Sequence, residues 1–65
     1  MKVYCYQDYY KPELVYISEK EILDQYWNYW KTQMEKKYGV GHELITEEKC
    51  IDDWCVVHYA WESVV

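Results

Sequence analysis

A capping box at Ser18-Glu19-Lys20-Glu21 sets where one long helix begins, and in a chain of 65 residues the rest must be arranged around that helix. Ser18 can accept from the third helical N–H while Glu21 reaches back to the cap, and Ile17 and Ile22 are spaced to close a hydrophobic staple over the first turn. From Glu19 to Tyr38, the residues Ile22, Leu23, Tyr26, Trp27, Trp30, Met34 and Tyr38 recur at three- and four-residue intervals, with Lys20, Asp24, Asn28, Lys31 and Glu35 largely opposite. Lys36 and Lys37 suit the negative end of the helix, and Gly39 can take the left-handed cap.

The flanks carry strand chemistry. Residues 2 to 8, KVYCYQD, alternate with Val3, Cys5 and Gln7 on one face and Tyr4, Tyr6 and Asp8 on the other, both faces partly apolar. Tyr9 to Glu13 reads as a turn around Pro12, and Leu14 to Ile17 as a second strand, which makes the N-terminal third a hairpin. Beyond the flexible stretch Gly39-Val40-Gly41-His42, Thr46 caps a second helix with Glu47 and Glu48 in its positive first turn. That helix is expected to last about two turns, because Trp54 to Trp61 alternates as a strand. Trp54, Val56, His58 and Ala60 fall on one face and Cys55, Val57, Tyr59 and Trp61 on the other, a two-sided apolar pattern that suits a central position. Glu62 to Val65 extends or frays from it.

The expected fold is therefore α+β. A small three-stranded antiparallel sheet in a β-β-α-α-β chain, order 2-1-3, is covered on one face by a long and a short helix. The order follows from a right-handed crossover that returns the last strand beside the first. Residues 1–65 form one domain, since a chain this short buries only about 60% of the surface it exposes when unfolded and cannot divide its core.

Charge and cysteine content narrow the function. Twelve acidic residues against seven Lys and no Arg give a net charge of −5 and a pI near 4.8, a field that repels phosphate backbones and favours basic partners. Direct nucleic-acid binding is not expected, although Tyr4, Tyr6 and Tyr59 on a sheet would resemble a stacking platform. No stretch approaches the ~20 apolar residues that span a bilayer. The odd count of three Cys and a start without a charged-then-apolar leader point to a reducing cytoplasm with free thiols. Cys50, Cys55 and His58, with His42 or Cys5, hold zinc-ligand atoms. They lack a second knuckle pair, and on the strand reading Cys55 and His58 point apart, so they are read as buried thiols and a satisfied histidine, with no metal or cofactor. Asp52-Asp53 near His58, or Glu47-Glu48 near Cys50, are neighbours that any acidic chain contains. One helical layer on three strands leaves little room for a water-excluding pocket, so no enzyme activity is expected.

Nine Tyr and four Trp with no Phe give nearly every large apolar side chain a polar handle, which suits half-buried surfaces. Much of this content is needed for the core. Tyr26, Trp27, Tyr29 and Trp30 span more than one stripe of the helix, so part must face outward. The surplus, expected to mark a protein interface, is Tyr29, the Tyr9-Tyr10 turn, and whichever of Tyr4, Tyr6 and Tyr59 the helix leaves uncovered. A second expectation is that Glu43, Glu47, Glu48, Asp52 and Asp53 imitate a phosphate backbone and occupy the basic cleft of a DNA- or RNA-binding enzyme.

In size and texture, carried by MKVYCYQDYY and IDDWCVVHYAWE, the chain resembles the small, acidic, Tyr/Trp-rich orphan proteins of tailed bacteriophages, especially those of marine cyanobacteria. The resemblance implies a protein made in the host cytoplasm that binds and redirects a host protein. The function expected from sequence is a non-enzymatic interaction module that engages another protein, including a basic host protein, or self-associates as a homo-oligomer.

Overall fold

The computed structural model describes residues 2–10 and 12–64. In chain order they form strands β1 (Lys2–Gln7) and β2 (Leu14–Ser18), helices α1 (Glu19–Tyr38) and α2 (Glu47–His58), and strand β3 (Trp61–Val64). The three strands make one antiparallel sheet in the order β2-β1-β3, as the crossover argument requires.

Local chemistry sets the helix starts. Ser18 accepts from the Glu21 N–H at 3.2 Å, and Thr46 accepts from the Lys49 N–H at 3.2 Å. Each side chain satisfies a backbone donor that the helix itself leaves orphaned. Glu19 and Glu21 lie in the first turn of α1 and Glu47 and Glu48 in that of α2, against the positive ends of the two dipoles. Gly39 ends α1 at φ 100 and ψ 156, outside the left-handed helical basin, and its N–H still bonds to the Glu35 carbonyl at 2.9 Å.

Side-chain alternation divides the sheet into two unlike faces. Tyr4 lies opposite Ile17 and Glu62, and Tyr6 opposite Val15; this is the face the helices cover. Its core is Tyr4, Ile17, Ile22, Ile51 and Trp54, with Tyr6, Leu23, Tyr26, Cys55 and Ala60 packed around them. The helices are tied to each other by Trp30, which is buried and donates its indole N–H to Asp53 Oδ2 at 2.8 Å. Lys49 stands 3.5 Å from the other oxygen of the same carboxylate.

The C-terminal third corrects the sequence expectation. Trp54 to Trp61 is not a strand: α2 runs three turns to His58, and the strand starts only at Trp61 and lies at an edge of the sheet. An alternation that is apolar on both faces is also what a helix shows when one side is buried and valines occupy the other. Cys50, Ile51 and Trp54 are buried at helical spacing, and Val56 and Val57 are exposed. Packing of that stripe outweighs the strand preference of two valines. Tyr59 then stops the helix at φ 54, a left-handed position, with its N–H on the Cys55 and Val56 carbonyls.

Candidate interaction surfaces

The second face of the sheet is uncovered. Cys5 lies directly opposite Tyr16 on one side and Trp61 on the other, and Val3 faces Ser18 and Ser63, so these side chains share the face that looks away from the helices. With Gln7 and its partner Leu14 they make a surface that carries no charge among the described residues, in a chain whose net charge is −5. Tyr16, Trp61 and Leu14 remain 58%, 48% and 47% exposed, while Cys5 between the two aromatics is only 1% exposed. The face is a short apolar row of two aromatic flanks over a sealed thiol.

The sequence reading did not single out Tyr16, Trp61 or Leu14. Both faces of the first strand are partly apolar, so alternation alone left open which one the helices cover. The available signal is the pairing itself: once order and register are fixed, Cys5 shares its face with Tyr16 and Trp61.

The tyrosines that were singled out divide between core and surface. Tyr4 is buried, and its hydroxyl donates to Glu19 Oε1 at 3.2 Å. Burial first, then the neighbouring Glu19 carboxylate, pushes that hydroxyl up to about 12. Tyr6 stands edge-on to Trp54 at 5.5 Å and to His58 at 5.9 Å, half-buried. Tyr59, placed by the corrected α2 at a helix end, is 88% exposed beside exposed Val56 and Val57. Tyr4, Tyr6 and Tyr59 therefore form no common stacking platform. Tyr9 and Tyr10 project from the turn after β1, edge to face at 5.3 Å, with the Tyr10 N–H on Asp8 Oδ1 at 2.9 Å. Tyr29 is exposed on α1 beside half-buried Tyr26, and Trp27 stacks on buried Trp30 at 5.7 Å.

The acidic residues also divide. Glu47, Glu48 and Asp52 of α2 meet Glu19 of α1 and Glu62 of β3 around a cleft of about 570 Å³, with Tyr4 and Ile51 on its walls and Lys2 its one cation among the described residues. Lys2 lies 3.6 Å from Glu62. Glu43 and Asp53 do not line this cleft, and Asp53 is engaged by Trp30 and Lys49. Glu19 and Glu62 were missed because only the fold brings these residues, distant in sequence, beside the acids of α2.

The thiols and His58 are set in packed surroundings. Cys50 is fully buried, and its thiol is pushed up to about 11 by burial, then by Asp53 and Glu47. Burial and Asp52 also raise Cys55. His58 stacks on Trp54 at 4.2 Å with Nδ1 2.8 Å from the Trp54 carbonyl, and Cys55 and His58 share a helix rather than opposite faces of a strand. Among the described residues no helix is long and apolar enough to cross a membrane.

Comparison with protein-family models, with curated proteins and with solved structures finds no match. The functional reading accordingly rests on these surfaces.

Proposed function

We propose that this protein is a non-enzymatic interaction module whose uncovered sheet face docks another protein. The observation that carries the reading is the uncharged face on which Tyr16, Trp61 and Leu14 stay about half exposed. Nothing among the described residues accounts for leaving such side chains in water, and aromatics on a charge-poor patch are what recognition surfaces use. Glu19, Glu21, Glu47 and Glu48, by contrast, have an internal use at helix starts. The Cys50 and Cys55 thiols, held protonated by burial and neighbouring carboxylates, are poor nucleophiles, which favours binding over catalysis. Following the resemblance to phage orphan proteins, the partner in this reading is a protein of the bacterial host.

The test is a pair of pull-downs from host lysate with the wild-type chain and a Tyr16→Ser, Trp61→Ser variant whose circular dichroism matches wild type. The reading predicts one dominant captured protein that the variant loses. Equal capture by both chains would contradict it.

A second reading is favoured by the cleft. Five carboxylates, from Glu19, Glu47, Glu48, Asp52 and Glu62, around one space form a negative concavity suited to a basic protuberance, in the manner of a nucleic-acid mimic. It predicts a nucleic-acid enzyme as partner and binding that weakens steeply with salt. Glu47→Gln, Glu48→Gln, Asp52→Asn in one chain should abolish that binding, and unchanged affinity would remove the idea.

A further inference from the structure

The two edges of the sheet are not alike. β3 carries Glu62 and is only four residues long, both of which discourage strand addition. β2 reads Leu-Val-Tyr-Ile-Ser, five residues with no charge and no proline, and is paired on one side only. Its outer edge therefore offers backbone N–H and C=O groups with none of the usual guards. We propose that β2 pairs with β2 of a second copy, antiparallel about a twofold axis through Tyr16, to form a six-stranded sheet. The proposal rests on the reading of the uncovered sheet as an interaction surface and names an occupant for its β2 end.

Charge limits where a second copy can close. Two chains that each carry −5 repel overall, and contact at β2 brings none of that charge together within the strand. The strand is also self-complementary. Centring the axis on Tyr16 sets Tyr16 against Tyr16 and Val15 against Ile17, aromatic with aromatic and β-branched with β-branched, on matching faces. That axis is perpendicular to the sheet, so both helical layers stay on one side and the two uncovered faces join into one. The nearest charges, Glu13 and Glu19, lie just beyond the strand ends, so added salt should tighten the dimer.

Sedimentation of wild type, Y16K and W61K across protein concentration tests the pairing. Y16K sets two ammonium groups against each other at the axis and should raise the dimer dissociation constant at least about tenfold. W61K alters the same face on β3, which lies five strand spacings, about 24 Å, from its copy in the paired sheet, and should leave the dimer intact. Loss of the dimer in both variants would mean that the faces stack instead, and would overturn edge pairing. A wild-type chain monomeric to millimolar concentration would overturn the dimer altogether, while the lysate comparison would still decide separately whether the face binds a partner. Should Y16K fail to fold, hydrogen exchange of the wild type decides. Outward-pointing amides of residues 14–18 must slow with concentration while those of 61–64 do not, and equal behaviour of the two edges would contradict the proposal.

Discussion

Tyr59 shows how much a single residue can reveal when its conformation and its exposure disagree. At φ 54 it holds a position that glycine fills at least cost, yet its ring is 88% exposed and gains little from packing within the chain. Tyr59→Gly should therefore leave the fold unchanged and raise stability by up to ~1 kcal/mol in urea unfolding. A loss of stability would show that the ring packs more than its exposure implies. Trp54 is the opposite case, 2% exposed and enclosed by Tyr6 and His58. Trp54→Ala should cost about 3–5 kcal/mol in the same assay. Cys5 reports on the uncovered face, since it is only 1% exposed and lies directly opposite Tyr16 and Trp61 in the strand register. In Trp61→Ala its modification by a thiol reagent should speed up at least about tenfold over wild type at equal pH. An unchanged rate would mean that Trp61 does not shield it.

Proton release ties residues to the pH range of the fold. The Tyr4 hydroxyl is raised from 10.0 to about 12 and the Cys50 thiol from 9.0 to about 11, in each case chiefly by burial. The folded chain therefore keeps protons that the unfolded chain gives up. The stability this represents is complete below the unfolded values and is lost as pH rises through the folded ones. Denaturant midpoints should begin to fall above pH 9, and Tyr4→Phe should make the decline between pH 10 and 12 shallower. A midpoint flat to pH 12 would contradict the burial of both groups.

Among the elements, those with a local chemical signal were legible in the sequence. Ser18 and Thr46 announce helix starts because a side-chain acceptor at an N-cap acts within three residues, and both bonds are present. The strand order was legible too, because handedness restricts how a helical crossover returns to a sheet. Trp54 to Trp61 was not. An eight-residue run apolar on both sides satisfies periods of two and of 3.6 almost equally, and the decision belongs to packing against Trp30 and Tyr6, which are distant in sequence. Trp30 and Asp53 carry that decision, since their bond at 2.8 Å locks α2 beside α1. Asp53→Ala should cost about 1–3 kcal/mol, measured by thermal unfolding, because it leaves a buried indole N–H without an acceptor and also releases Lys49.

For the molecule as a whole, the sequence pointed to more aromatics than a core this size needs, and Tyr9, Tyr10, Tyr29 and Tyr59 from that surplus are exposed, Tyr59 at a helix end rather than on the strand expected for it. It did not show which face of the sheet stays open, because both faces of β1 are partly apolar and only the register joins Tyr16, Cys5 and Trp61. The result is a division of surface, with charge around the helices and the cleft, and a neutral aromatic sheet face opposite them. The neutral face is the proposed seat of the partner. Side-chain oxidative footprinting of the free chain and of its complex with the captured protein measures that most directly. Tyr16 and Trp61 should oxidise readily in the free chain and be protected in the complex, while Tyr9, Tyr10 and Tyr59 react equally in both. Tyr16 and Trp61 as reactive in the complex as in the free chain would contradict it.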